Sequence, residues 1–169
     1  MKHLLVASIA CAICTFSYSS HADSNSISVL LTNAKVESAS LDNGFKLQYQ
    51  HYFSDNIAVE LAHAKYGSYS YDDWWGNESV SVDVSGINIG IVARSQIADT
   101  AYLFGKLGIS HWKFDESGTS LDANDNDAFA GFGFNFDVSN SAILTVEYEF
   151  LKTGDSKTKS LNAGIGIKF

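Results

Sequence analysis

The sequence contains no proline and only two cysteines. Without proline, every backbone position can donate to a hydrogen-bond ladder, which suits extended pairing along the whole chain. Cys11 and Cys14 both lie near the start, so the rest of the chain can form no disulfide and offers no thiolate for a zinc site. Cations are also scarce: 11 Lys and Arg against 19 Asp and Glu give a formal net charge of −8, which argues against nucleic acid as a partner. Long hydrophobic runs are missing too. The apolar stretch from Leu4 to Phe16 is too short to cross a bilayer as a helix, and nothing later is long enough.

That early stretch follows Met1, Lys2 and His3 and precedes Ser20-His21-Ala22, which sets small residues at −3 and −1 of a cleavage site. Residues 1–22 therefore read as a cleaved signal peptide, and residues 23–169 as one folded domain. Losing Lys2 with the leader takes the charge from −8 to −9. A lipid anchor on Cys11 is disfavoured, because Ser8-Ile9-Ala10 lacks the aliphatic residue expected at −3.

From Ser26 onward, apolar and polar residues alternate in segments of about ten, the length a tilted strand needs to cross the hydrocarbon layer. In the last segment Leu161, Ala163, Ile165, Ile167 and Phe169 share one face, and Asn162, Gly164, Gly166 and Lys168 the other. Residues 44–53, 57–66, 128–138 and 142–150 repeat the pattern. Residues 100–114 follow it less tidily, with aromatics on both faces at the lower end. Residues 80–95 change phase at Gly86, which predicts a bulge there or a strand that leaves the membrane. Residues 26–36 alternate weakly and are assigned because such barrels have an even strand count. Mean hydropathy is only −0.02, which decides little, since half the residues of a barrel strand face inward.

Short links at residues 54–56, 96–99 and 139–141 alternate with longer polar ones at 37–43, 67–79, 115–127 and 153–159. The expected fold is all-β: an eight-stranded antiparallel up-and-down transmembrane β-barrel with apolar residues toward lipid. Short turns would lie on the periplasmic side with both termini, and four loops would face outward. The absence of proline suits such a closed ladder.

These residues resemble the small eight-stranded outer-membrane proteins of the OmpA-like and OmpX-like group. The most specific part is the ending Ser160 to Phe169, which looks like the terminal signal read by the barrel-assembly machinery, with Ile165, Ile167 and Phe169 as its apolar positions. Residues 102–108 and 144–150 look like recurrent strand motifs of the group. The sequence stops at Phe169, so the peptidoglycan-binding domain of full OmpA-type proteins is not expected. The resemblance implies residence in the outer membrane of a Gram-negative bacterium, contact with membrane lipid and lipopolysaccharide, and a structural or surface-interaction role, as a monomer.

Lys46, Glu60, Lys106, Glu147, Glu149 and Lys168 point into a barrel too narrow for a free aqueous pore. They must pair or stay hydrated, as a gate or as an internal salt-bridge network in place of a core, and the network is the better supported. Tyr69, Tyr71, Trp74 and Trp75 stand with Asp72 and Asp73 in one outer loop, as a recognition surface or part of an aromatic belt. Trp112, Phe114, Tyr148, Phe150 and Phe169 read as girdle residues. Asp122-x-Asn124-x-Asn126 begins like a calcium loop, but Asp127 stands where glycine should turn the chain and Gly133 where the closing glutamate belongs. A loose divalent site is the alternative to a solvated acidic loop.

No catalytic residues, metal ligands or cofactor are expected. Ser110 and His111 are adjacent in a strand and face opposite sides. The His-x-Ser motif of lipid A deacylase barrels is absent, because His51, His63 and His111 are followed two places on by Phe53, Lys65 and Lys113. The alternatives are a lipid A-modifying outer-membrane enzyme, with a rim cluster of Ser, His and carboxylate, and a soluble lipocalin-type barrel, with its apolar face turned inward.

Overall fold

The computed structural model describes residues 25–37, 39–72, 79–116, 123–153 and 156–169. Nine strands follow one another: β1 (Asn25–Val36), β2 (Ala39–Ser40), β3 (Gly44–Ser54), β4 (Ile57–Asp72), β5 (Ser79–Ala98), β6 (Ala101–Glu116), β7 (Ala123–Asp137), β8 (Ala142–Thr153) and β9 (Ser156–Lys168). Each long strand pairs antiparallel with the next, and β1 closes the sheet against β9 from Ser26↔Lys168 to Val36↔Thr158. The two-residue β2 folds back on the end of β1, so the wall is an eight-stranded closed barrel. Closure removes every free edge within the belt, which a strand must do in hydrocarbon.

Alternation decides which side each residue faces, and the result is inverted relative to a soluble barrel. Leu31 is 73% exposed and Ile165 is 70% exposed, whereas Lys46, Glu60 and Asn162 are fully buried. The weakly patterned β1 is held by both neighbours. Its Ser26, Ser28, Leu30, Thr32 and Ala34 face in, while Ile27, Val29 and Leu31 face out.

Three expectations need correction. First, of the two readings of the phase change at Gly86 the bulge is absent: β5 runs through it in continuous register with both neighbours. The irregularity sits on β4, between Lys65 and Gly67. Val82 and Val84 keep the inward phase of Asn88 and Val92 and are apolar because the lumen is apolar at that level. Second, Trp112 is buried in the lumen and Phe114 packs beside it, so neither is a girdle residue. Both share the parity of inward Lys106 and Ser110. Third, much of the polar stretches 67–79, 115–127 and 153–159 is strand. Ladder bonds need no apolar side chains once the wall has left the hydrocarbon, so pairing outlasts the hydrophobic pattern.

Both ends of the described chain meet at the tight-turn end. The Asn25 N–H donates to the Phe169 carbonyl at 3.0 Å, and the Phe169 N–H to the Asn25 carbonyl at 2.9 Å.

Candidate functional site

The lumen is built in three layers. At its centre, inward positions of β3, β4, β6 and β8 bring Lys46, Glu60, Lys106, Glu147 and Glu149 together, all out of contact with solvent. The Lys46 ammonium lies 3.3 Å from Glu60, 2.8 Å from Glu147 and 2.7 Å from Glu149. Lys106 lies 3.1 Å from Glu60, 2.6 Å from Glu147 and 3.5 Å from Glu149. Each ammonium thus touches all three carboxylates, and each carboxylate touches both ammoniums.

Neutral amides add to the carboxylates' contacts. Asn162 Nδ2 donates to Glu147 at 3.0 Å and to Glu149 at 2.7 Å. Gln48 and Gln50 donate to Glu60 Oε2 at 2.6 and 3.0 Å. The room comes from Gly131 on β7, where an added Cβ would stand 3.0 Å from both Glu149 Cγ and Lys106 Cε. This polar knot takes the middle of the lumen, where a soluble domain would place apolar side chains. Charges buried this deeply persist only when paired and hydrogen-bonded.

Toward the long hairpins the lumen becomes apolar, with Ala34, Leu41, Ala64, Tyr66, Val84, Trp112, Phe129 and Leu151 packed together. The Trp112 indole N–H donates to Asp127 at 3.0 Å, and Asn88 Nδ2 donates to the Tyr66 hydroxyl at 3.1 Å. Leu41 comes from the link between β2 and β3, which is tied to β1 by the Leu41 N–H to Ala34 O bond and to β4 by the Asp42 N–H to Ser68 O bond. Gly67, at φ 118°, lets β4 approach this link closely; a Cβ there would meet Asp42 and Leu41.

Toward the tight turns Tyr52, Ala58, Val92 and Phe104 form a second apolar layer. Below it the Arg94 guanidinium sits 4.0 Å from the centre of the Tyr52 ring and 4.7 Å from that of Tyr102. Its Nε donates to the Asp55 carbonyl at 2.7 Å. Lys168 stands at this end, paired with Asp137 at 3.0 Å, and contributes nothing to the central knot.

The remaining sequence-derived positions divide simply. Ile165, Ile167 and Phe169 are exposed on the outer wall. Tyr69 and Tyr71 lie on β4 opposite Val82 and Val80; their side chains, and all of Trp74 and Trp75, lie outside the described residues, as does Asp122. Among the described residues no group of His, Cys, Asp and Glu is placed to hold a metal ion. Ser110 is buried and His111 exposed, with its Nδ1 3.1 Å from Asn126 Oδ1. Arg94 between its two tyrosines and the plug residues Tyr66, Trp112 and Phe129 were missed as site residues. Their inward parity was the signal.

No curated protein matches the chain in sequence. Residues 4–169 match the family described as the outer membrane protein beta-barrel domain. Among solved structures, Ail, the attachment invasion locus protein of Yersinia pestis, in complex with the heparin analogue sucrose octasulfate, is similar at 23% identity. That match covers 86% of this chain and 96% of Ail, with a TM-score of 0.62. OprG from Pseudomonas aeruginosa is similar at 15% identity over 88% of this chain and 96% of its own, with a TM-score of 0.66. Neisserial surface protein A is similar at 15% identity over 86% and 96%, with a TM-score of 0.56. At these identities the likeness is one of fold.

Proposed function

Since the chain belongs to the outer membrane protein beta-barrel domain family, and so is a barrel of the bacterial outer membrane, we propose that it acts as a sealed scaffold presenting surface loops to an external partner. The observation that carries this reading is the filled lumen: among the described residues an ionic knot occupies the centre, with apolar side chains packed toward both ends. Partner chemistry then falls to the long-hairpin end. In this reading residues 1–22 are removed on export, both termini are periplasmic, the ending Ile165, Ile167 and Phe169 engages the assembly machinery, and the barrel works as a monomer without catalysis.

The loops set what the partner must offer. Residues 67–79 carry Asp72, Asp73 and Glu78 with Tyr69, Tyr71, Trp74 and Trp75, and residues 115–127 carry Asp115, Glu116, Asp122, Asp125 and Asp127. Neither stretch contains a Lys or Arg. A sulfated sugar of the kind bound to Ail meets repulsion from such loops, whereas a basic surface that accepts aromatic contacts is complementary.

The test uses intact cells. An epitope inserted after Asn77 is expected to bind antibody without permeabilisation. Replacing Tyr69, Tyr71, Trp74 and Trp75 by Ala is expected to abolish attachment to an epithelial cell layer while the barrel still shows its heat-dependent gel shift. An epitope reached only after permeabilisation, or attachment unchanged in the variant, overturns the proposal.

A further inference from the structure

On three adjacent strands the lipid-facing apolar rows end in lysine. On β1 the outward row Ile27, Val29, Leu31 runs through Asn33 to Lys35. On β9 the row Ile167, Ile165, Ala163, Leu161 ends in Lys159 and Lys157, and on β8 Phe150 is followed by Lys152. All four lysines are exposed. Lys159 lies two residues beyond Leu161, about 7 Å along the strand, so these ammoniums sit where hydrocarbon gives way to headgroups. Their long stems reach that level from the apolar wall.

The register makes the arrangement costly on its own. Lys35 is directly opposite Lys159, and Lys152 is directly opposite Lys157. Like charges in cross-strand positions destabilise a sheet. Lys35, Lys157 and Lys159 have no ion-pair partner among the described residues, and Lys152 has only a 3.7 Å approach to Asp127. A chain of net charge −8 has thus placed 4 of its 11 cations on one patch of wall, in opposed pairs. A bound anion relieves the repulsion, and at this depth the anions at hand are lipid phosphates.

We infer that the β1–β9–β8 wall is a binding face for the phosphates of lipid A in the outer leaflet, with Lys35, Lys152, Lys157 and Lys159 as its contacts. The choice of outer leaflet rests on the orientation proposed above. The site holds the acidic barrel among phosphorylated lipids and fixes which wall they meet.

The test is retention of lipid by the folded, detergent-solubilised protein, read by native mass spectrometry with three probes: bisphosphorylated lipid A, dephosphorylated lipid A and phosphatidylglycerol. The parent is expected to retain the bisphosphorylated form preferentially. The combined Lys35→Gln, Lys152→Gln, Lys157→Gln and Lys159→Gln variant is expected to retain it at least about tenfold less, since each such lysine is attracted to an anionic surface and all four are removed. The corresponding four Lys→Arg changes are expected to restore retention. An unchanged gel shift excludes misfolding as the cause. Equal retention by the Gln variant, equal retention of dephosphorylated lipid A, or a preference for phosphatidylglycerol overturns the inference. The measurement has no sidedness, so it can fail while the epitope experiment succeeds, and the reverse.

Discussion

Lys46 is the residue on which the lumen's electrostatics turns, because three carboxylates lie within 3.3 Å of its ammonium. Lys46→Met leaves those carboxylates with Lys106 alone, and removing one partner from a buried ionic cluster typically costs about 3–5 kcal/mol. Urea unfolding in lipid vesicles is expected to register that loss, and adding Glu149→Gln is expected to recover part of it. A variant as stable as the parent would show that water reaches the knot. A second prediction concerns Gly108, which pairs with Gly90 on one side and Phe129 on the other. A Cβ at Gly108 would stand 2.7 Å from Phe129 Cε1 and 2.6 Å from Gly90 Cα. Gly108→Ala should therefore destabilise the barrel by about 1–3 kcal/mol through overpacking. Truncating the ring as well, with Phe129→Leu, should not restore full stability, because the second clash is with backbone. The inward identity of Lys46, Glu60, Lys106, Glu147 and Glu149 was legible from alternation alone. That all five form a single cluster was not, since β3, β4, β6 and β8 are brought to one level only by strand register.

At the scale of the strand, the outer wall makes the sharper prediction. Ile165 is 70% exposed in the middle of the outward row of β9. Ile165→Arg is expected to lower stability in bilayers by about 2–4 kcal/mol if it lies near the midplane, measured by the same unfolding assay. Exchanging the surface lysine Lys157 for Arg in that strand should cost nothing measurable. Alternation located seven of the eight long strands, β1 following from the even strand count, but set their ends by where the apolar residues stop. That rule failed at the long-hairpin end, where β4, β5, β6 and β7 continue as polar ladder: Asp72 pairs with Ser79, and Glu116 with Val82. It also misread Val82, Val84, Trp112 and Phe114 as lipid-side or phase-shifted, because a polar lumen was assumed from end to end. The ionic knot is confined to mid-height, and inward apolar residues gather above and below it, so such residues mark a plug.

For the molecule as a whole, the layers account for a closed cylinder whose described interior is filled with side chains. Leu41, Tyr66 and Trp112 cap the knot toward the long hairpins, while Tyr52, Phe104 and the stacked Arg94 cap it toward the termini. This arrangement sends the aliphatic rows outward, and paired charge fills the centre between two apolar layers. The fold was legible in the sequence because period-two alternation reports faces directly. The plug was not, because it depends on which inward side chains meet across the lumen. Thiol reactivity probes the lumen and the outer wall together, since residues 25–169 contain no cysteine. Ala62→Cys places a thiol inside, where Ala62 is 2% exposed beside Gln48, and Ile165→Cys places one on the outer wall. In folded protein in bilayers, the inner thiol is expected to resist a charged, water-soluble methanethiosulfonate until denaturant is added, while the outer one reacts with a membrane-soluble maleimide. Labelling of the inner thiol by the charged reagent at the rate of an exposed control would contradict the sealed barrel.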